Sequence, residues 1–290
     1  MKAVLNLFDF SQKINYRNEI LAGLTVAMTM IPESLSFAIL AGFPPLVGLY
    51  AAFIAGLITA VFGGRPGMVS GGAGATVIVL IALMKSNGLE YVFAAVALAG
   101  VIQILIGLFK FSKFIRLVPQ PVMYGFVNGL AVIIFMSQFE QFKFNSGGES
   151  SWLQGTPLFI MAGLVALTIG IVLLFPKITK KIPASLVAII VVFLVVIFFN
   201  IDTKTVQDIA SIEGGFPPLH IPNIPFTWEA FQIILPYSLI FAAVGLTEGL
   251  LTLNLVDGIT GTRGNGDREC IAQGGSNIAN GFFFGMGGCP

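Results

Sequence analysis

Long apolar runs, separated by short polar segments, recur along the whole sequence. Hydrophobic residues make up 56% of the chain, charged residues make up 10%, and the mean hydropathy is +0.92. A soluble domain needs more charge on its surface, whereas a bundle of helices surrounded by membrane lipid does not. The sequence therefore predicts an all-α polytopic membrane protein.

The inventory of polar residues excludes several classes of function. The net charge of +1 gives no general attraction to nucleic acid. Two cysteines, Cys270 and Cys289, and one histidine, His220, are too few for a disulfide framework or a metal cluster. A membrane-embedded enzyme would need a nucleophile and a base, and the spans offer only two carboxylates. We therefore expect a protein that is not an enzyme and has no organic cofactor.

The segment 65–84 begins with glycines and polar residues and ends in an apolar run. The apolar part, 76–84, makes about 13 Å of helix, whereas the hydrocarbon core is about 30 Å thick. We therefore predict a broken third span, in which an extended segment enters the membrane and turns into a half-helix. Non-helical backbone is stable at that depth only when protein buries it or it lines a wet cavity.

The N-terminus of this half-helix is the candidate anion site. Its free N–H groups and its dipole both favour an anion. The predicted substrate-binding residues are Gly72, Gly74, Ala75 and Thr76. The alternative is that the glycines only allow close helix packing.

Eight other predicted spans accompany the half-helix, after an interfacial N-terminal segment at residues 1–18. The first span contains Pro32 and Glu33 near its middle, which predicts a second interruption there. The spans are 20–40, 44–62, 91–109, 119–139, 158–175, 184–199, 230–253 and 271–284.

The basic residues predict how these spans are oriented. If the N-terminus is cytoplasmic and every span crosses, all of the 15 basic residues except Lys85, Lys143 and Lys204 lie inside. The positive-inside rule favours this arrangement. We therefore predict a multi-pass protein of the cell membrane, in bacteria the inner membrane, with 200–229 outside and 257–268 inside.

Two acidic residues, Glu33 and Glu248, lie well inside predicted spans, where a carboxylate is a functional candidate. Glu248 and Thr252 are four residues apart and share one helix face, which suits a small hard cation or a transferable proton. The alternatives are a protonated Glu248 bonded to backbone carbonyls, and a Glu33 that satisfies backbone groups freed by Pro32.

Five short motifs, in the same order, resemble those of the SulP (sulfate permease) family of inorganic anion transporters, and the resemblance covers essentially the whole chain. They are Ile31-Pro-Glu-Ser-Leu-Ser-Phe-Ala38, Ala41-Gly-Phe-Pro-Pro-Leu-Val-Gly-Leu-Tyr50, Gly63-Gly-Arg-Pro-Gly-Met-Val-Ser-Gly71, Val122-Met-Tyr-Gly-Phe126 and Asp257-Gly-Ile-Thr-Gly-Thr-Arg263.

The resemblance implies a 7+7 inverted-repeat fold, similar to uracil transporters, of which the chain holds the first seven-span repeat and the start of the second. It implies a core domain of spans 1–4 and 8–9, a gate domain of spans 5–7, and an anion held between half-helices in spans three and ten. The implied function is secondary active transport by an elevator-like alternating-access mechanism. A homodimer is expected for the full-length protein.

The resemblance also implies roles for single residues. Glu33 and Ser34 correspond to positions near the anion, which would be sulfate, bicarbonate or chloride. Glu248 stands where sodium-coupled bicarbonate members have an aspartate, and Thr252 stands at their cation-ligating threonine. The coupling ion at these two residues is therefore expected to be Na+ or H+, since a glutamate there resembles members thought to use protons.

Members of the family continue through span ten and usually end in a STAS domain. The chain ends before span ten, so residues 19–290 are expected to be an incomplete transmembrane domain. Three alternatives stay open at this stage: a nucleobase transporter of the same fold, a channel, and a fragment without transport activity.

Overall fold

A computed structural model describes residues 15–115, 120–146, 149–179, 182–203 and 215–290. The helices α1, α2, α4, α7 and α9 are long and apolar enough to cross a membrane, and α3 and α8 are shorter apolar helices. The helices are α1 Tyr16–Leu40, α2 Pro45–Phe62, α3 Gly74–Asn87, α4 Leu89–Leu108, α5 Ser112–Ile115, α6 Gln120–Gln141, α7 Thr156–Ile178, α8 Ala184–Phe198, α9 Trp228–Thr260 and α10 Gly266–Phe282.

The chain divides into two compact units, and each is described by itself. The first comprises residues 1–19, 30–127 and 212–290, within which α4 packs against α9 and α10, and α2 packs against α10. The second comprises residues 20–29 and 128–211, within which α7 packs along α8. The second unit also contains two paired antiparallel strands, β1 Lys143–Ser146 and β2 Glu149–Trp152, which the sequence analysis did not predict.

The predicted break in the third span is confirmed. The helix α3 has 14 residues and is about 21 Å long, too short to cross the hydrocarbon core. The backbone before it is extended, and its N-cap residue Ala73 has φ −114° and ψ 140°.

The predicted interruption of the first span is wrong, because α1 runs without a break through Pro32. A proline removes one backbone donor and crowds one carbonyl, but the hydrogen bonds on either side can continue the helix. Side-chain hydroxyls add local bonds along α1. Thr25 donates to the carbonyl of Leu21 at 2.8 Å, and Ser36 donates to that of Pro32 at 2.7 Å.

Several observed helix ends differ from the predicted ones. α9 continues seven residues beyond the predicted end at residue 253, and it stops at Gly261, whose φ of +67° suits glycine. α10 starts at Gly266 because the side chain of Asn265 accepts a bond from the Arg268 N–H at 3.0 Å. α1 starts at Tyr16, and residues 1–14 of the predicted interfacial segment lie outside the described residues.

The contact between α4 and α10 depends on glycine. A Cβ added to Gly274 would lie 2.5 Å from the Gly100 carbonyl oxygen and 2.8 Å from the Ile104 nitrogen, so the two helix backbones touch. The next residue, Gly275, has open space at the same position.

Gly274→Ala is therefore expected to destabilise the protein by about 1–3 kcal/mol, because α4 and α10 must separate to admit the methyl group. Thermal unfolding in detergent would measure the loss. Gly275→Ala is the matched control and should leave the melting temperature unchanged or slightly raised, as alanine favours the helix. Equal losses in the two variants would contradict the backbone contact.

Candidate functional site

The first residues of α3 are buried inside the first unit. Gly74, Ala75 and Thr76 are all buried, with Ala75 3% exposed and Thr76 0% exposed. The first N–H groups of any helix have no partner within that helix, and here the N-cap residue is Ala73, whose methyl group cannot cap them. The regular hydrogen bonds begin with the Val77 N–H, which donates to the Ala73 carbonyl at 3.0 Å. This end of α3 therefore presents backbone donors in a protected setting.

The extended segment before α3 pairs with the chain near residue 289. The Gly71 N–H donates to the Cys289 carbonyl at 3.3 Å, and the Cys289 N–H donates to the Gly71 carbonyl at 3.1 Å. A Cβ on Gly288 would overlap the Gly71 carbonyl, so only glycine at 288 lets these two extended segments approach this closely. Extended backbone within a membrane domain is thus hydrogen-bonded by protein.

Buried amide side chains hold the segment 285–290 in place. The Gly288 N–H donates to Asn277 Oδ1 at 2.9 Å, and Asn277 Nδ2 donates to the Gly288 carbonyl at 3.2 Å. The same Nδ2 donates to Gln103 Oε1 on α4 at 2.8 Å. Gln273 Nε2 donates to the Gly288 carbonyl at 3.3 Å. The amide side chains of α4 and α10 therefore fix the position of the strand that pairs with Gly71.

The sequence analysis missed these amides. Gln273 and Asn277 are four residues apart, as are Ser276 and Asn280, inside a stretch treated only as apolar. Polar residues at this spacing form a stripe along a helix, and that stripe was the available signal.

One face of α1 lies against the start of α3. A Cβ on Gly71 would meet the end of the Met30 side chain, and one on Gly74 would lie 2.7 Å from the Phe37 ring. Glu33 and Ser34 lie between these two contacts on the same side of the helix. Ser34 is buried, 1% exposed, and Glu33 is exposed. The structure thus brings the predicted α1 residues near α3, and their role toward an anion stays a prediction.

Glu248 lies half-buried on α9 and is hydrogen-bonded to Cys289. The thiol donates to Glu248 Oε2 at 2.8 Å, and the Thr76 side chain, whose hydroxyl donates to the Ala73 carbonyl at 3.0 Å, lies near the Cys289 sulfur. The observed partner of Glu248 is therefore a thiol rather than the backbone carbonyls considered above. Thr252 follows one helical turn later, also half-buried. Cation binding by these two residues stays a prediction.

Two of the sequence motifs meet at the other end of the extended segment. Arg65 Nε lies 3.2 Å from Asp257 Oδ1, and its guanidinium also donates to the Thr260 hydroxyl. The Gly64 N–H donates to Glu269 Oε2 at 2.7 Å. The segment between α2 and α3 is therefore attached to α9 and α10 at this end and to residue 289 at the other.

Known proteins resemble the chain along most of its length. The model of the sulfate permease family matches residues 16–289. A putative sulfate transporter of Bacillus subtilis, YbaR, is 42% identical over 95% of this chain and 55% of its own length. The bicarbonate transporter BicA of Picosynechococcus is 31% identical over 97% of this chain and 53% of its own length. The chain therefore spans about half the length of these relatives.

Solved structures share the fold. The transmembrane domain of a cyanobacterial bicarbonate transporter BicA superposes with a TM-score of 0.80 at 28% identity, covering 97% of this chain and 75% of that one. Murine Slc26a9, an anion transporter captured in its inward-facing state, gives a TM-score of 0.75 at 18% identity, covering 99% and 53%. The predicted fold class, a helical membrane protein of the 7+7 inverted-repeat type with a broken third span, is confirmed. Because the family model matches nearly the whole chain, the chain belongs to the sulfate permease family.

Proposed function

We propose that the protein containing this chain transports a small inorganic anion of the sulfate or bicarbonate class across the membrane. The observation that carries the proposal is the buried, uncapped start of α3 at Gly74, Ala75 and Thr76. Backbone N–H groups at a helix N-terminus bind anions through hydrogen bonds and the helix dipole, without a fixed positive charge. Such a site can bind an anion weakly enough to release it on the other side.

The surroundings of this helix end support a small, compact anion. The side chains that pack against the glycines here are Met30 and Phe37 from α1 and Met286 from the segment 285–290. All three are uncharged, so the polar contacts would come from the backbone, from Thr76 and from the polar residues of α1. A partly apolar site of this kind excludes water from the anion and strengthens each hydrogen bond to it. Ser34 and Glu33 are proposed to line its α1 side.

The proposed transport is coupled to H+ or Na+ at Glu248, with Thr252 as a second oxygen ligand if the ion is sodium. A carboxylate inside a membrane protein is tolerated when a proton or a cation neutralises it. Either event neutralises the charge of Glu248 and so lowers its repulsion of an anion at the start of α3. Glu248 is close to that helix end because it bonds to Cys289, whose backbone pairs with Gly71. Binding of the cation and of the anion would then favour each other.

The relatives support the substrate class and the mechanism. The names of YbaR and BicA assign sulfate, putatively, and bicarbonate to those proteins. By analogy we propose an elevator-like alternating-access movement and a homodimer of the full-length protein. The experiment that tests the function is uptake of labelled sulfate and bicarbonate into proteoliposomes containing the full-length protein. Uptake of one of them above empty liposomes is expected, and uptake of neither would contradict the proposal.

The proposed orientation places residue 202 outside and residue 262 inside the cell. Asp202 and Thr262 are both exposed, so a cysteine at either position is accessible to a reagent on its own side. In a cysteine-free background, Asp202→Cys should react with an impermeant thiol reagent in intact cells, and Thr262→Cys should react only after the membrane is opened. The reverse pattern would contradict the orientation derived from the basic residues.

A further inference from the structure

Cys289 contacts both parts of the proposed site at once. Its thiol donates to Glu248 Oε2 at 2.8 Å, and its sulfur lies near the side chain of Thr76 at the start of α3. The Thr76 hydroxyl donates its hydrogen to the Ala73 carbonyl at 3.0 Å, so its oxygen is the part that can accept from a thiol. Its backbone bonds to Gly71 in both directions, at 3.1 and 3.3 Å. The residue is 3% exposed. Cys289 therefore joins the Glu248 side chain to the backbone segment that leads into α3.

We propose that Cys289 is a positioning residue whose thiol competes with the coupling ion for Glu248 and thereby links the state of that carboxylate to the start of α3. The proposal rests on the proposed role of Glu248. In the ion-free state the thiol hydrogen occupies a lone pair of Oε2. A proton or a sodium ion bound to that oxygen displaces the thiol, whose hydrogen must then turn away from α9.

The backbone around Cys289 is held in place, so replacing the thiol by an ion at Glu248 affects the neighbouring start of α3. Asn277 and Gln273 hold the carbonyl of the preceding residue, Gly288, so the backbone at Cys289 cannot follow the thiol. The freed thiol is left beside Thr76, on the first turn of α3. When an ion takes the place of the thiol at Glu248, the hydrogen bonding near the N-terminus of α3 therefore changes without a large movement.

Few charged groups lie near the thiol, so an effect of Cys289 on ion binding can be assigned to Glu248. In the part of the chain that the structure describes, Glu248 is the one charged side chain that is hydrogen-bonded to Cys289. The neighbouring elements present neutral groups: Thr76 on α3, Gln273 on α10 and the backbone of Gly71. A change in ion dependence after altering Cys289 would therefore report on Glu248.

Infrared spectroscopy of the thiol tests the contact without any transport. In full-length protein with Cys289 as the sole cysteine, obtained by replacing Cys270 and any others, the S–H stretch reports the strength of its hydrogen bond. Glu248→Gln should move this band to higher frequency, since a neutral amide oxygen accepts more weakly than a carboxylate. Thr247→Val, whose hydroxyl bonds to the Ala243 carbonyl instead, is the matched control and should not move it. An unmoved band in Glu248→Gln would overturn the proposal.

Uptake by the full-length protein tests the competition. Cys289→Ala removes the competing donor, so the proton or sodium concentration for half-maximal uptake should fall by about three- to tenfold, while the KM for the anion changes less. Cys289→Ser keeps a donor and should restore the wild-type ion dependence. Unchanged half-saturation for both ions in Cys289→Ala would overturn the proposal.

The two readouts separate this inference from the proposed function. If the S–H band moves in Glu248→Gln but wild-type uptake depends on neither ion, the proposed coupling fails and the thiol contact stands alone. If uptake depends on an ion but Cys289→Ala leaves that dependence unchanged, the coupling stands and the role of Cys289 is refuted.

Discussion

Replacing Ala75 with tryptophan is expected to reduce anion uptake to the background of empty proteoliposomes. Ala75 is the second residue of α3 and is 3% exposed, so an indole there fills the space in front of the first N–H groups of the helix. An anion bound at this end needs those donors within about 3 Å, and a bulky side chain excludes it. The measurement is uptake of labelled sulfate or bicarbonate by the full-length protein.

Ala82→Trp is the matched control for this substitution. Ala82 lies two turns further along the same helix and is exposed, so its replacement adds the same group away from the proposed site. The control should retain uptake, and both variants should show a monodisperse peak on gel filtration, which excludes misfolding as the cause. If a folded Ala75→Trp protein took up the anion at the wild-type rate, the anion site could not lie at the start of α3.

The half-helix could be predicted from sequence because its signal is local. A run of glycines followed by nine apolar-dominated residues cannot cross the bilayer as one helix, whatever the rest of the chain does. Whether a run can span the membrane depends only on its length and on the thickness of the bilayer. For the same reason the approximate positions of α2, α4 and α7 follow from the sequence.

Pro32 misled the sequence analysis because a proline has two outcomes in a membrane helix. It can end the helix, or it can remove one bond while the helix continues, and the neighbouring residues decide between them. In α1 the bonds before and after Pro32 continue. The sequence offers no measure of that balance, since it depends on packing around the helix.

The network around residue 289 could not be predicted, because its members are far apart in sequence. Gln103 and Asn277 are 174 residues apart, and Glu248 and Cys289 are 41 apart. Glu248 itself was identified by its depth in a span, which is a local property. Its partner is set by the tertiary fold, which brings the segment 285–290 back to the start of α3.

The substitution Glu248→Gln is expected to abolish accumulation of the anion against a gradient while leaving anion exchange across the membrane. Glutamine has the size of a protonated glutamate but can neither release a proton nor neutralise a sodium ion. The thiol of Cys289 keeps an oxygen acceptor, so the packing near α3 is preserved. The measurement is the final ratio of internal to external substrate in proteoliposomes, together with exchange of labelled for unlabelled anion at equilibrium.

Glu248→Asp separates the charge of this residue from its shape. An aspartate keeps the carboxylate, so accumulation should persist in this variant, although the shorter side chain moves the oxygens away from the Cys289 thiol. The dependence of wild-type uptake on pH and on sodium distinguishes the two possible coupling ions. A proton at Glu248 gives uptake that falls as external pH rises and ignores sodium, whereas a sodium ion shared with Thr252 gives uptake that saturates with sodium and falls in Thr252→Val. If Glu248→Gln still concentrates the anion, the carboxylate is structural, and the charge repulsion that we assign to it does not govern transport.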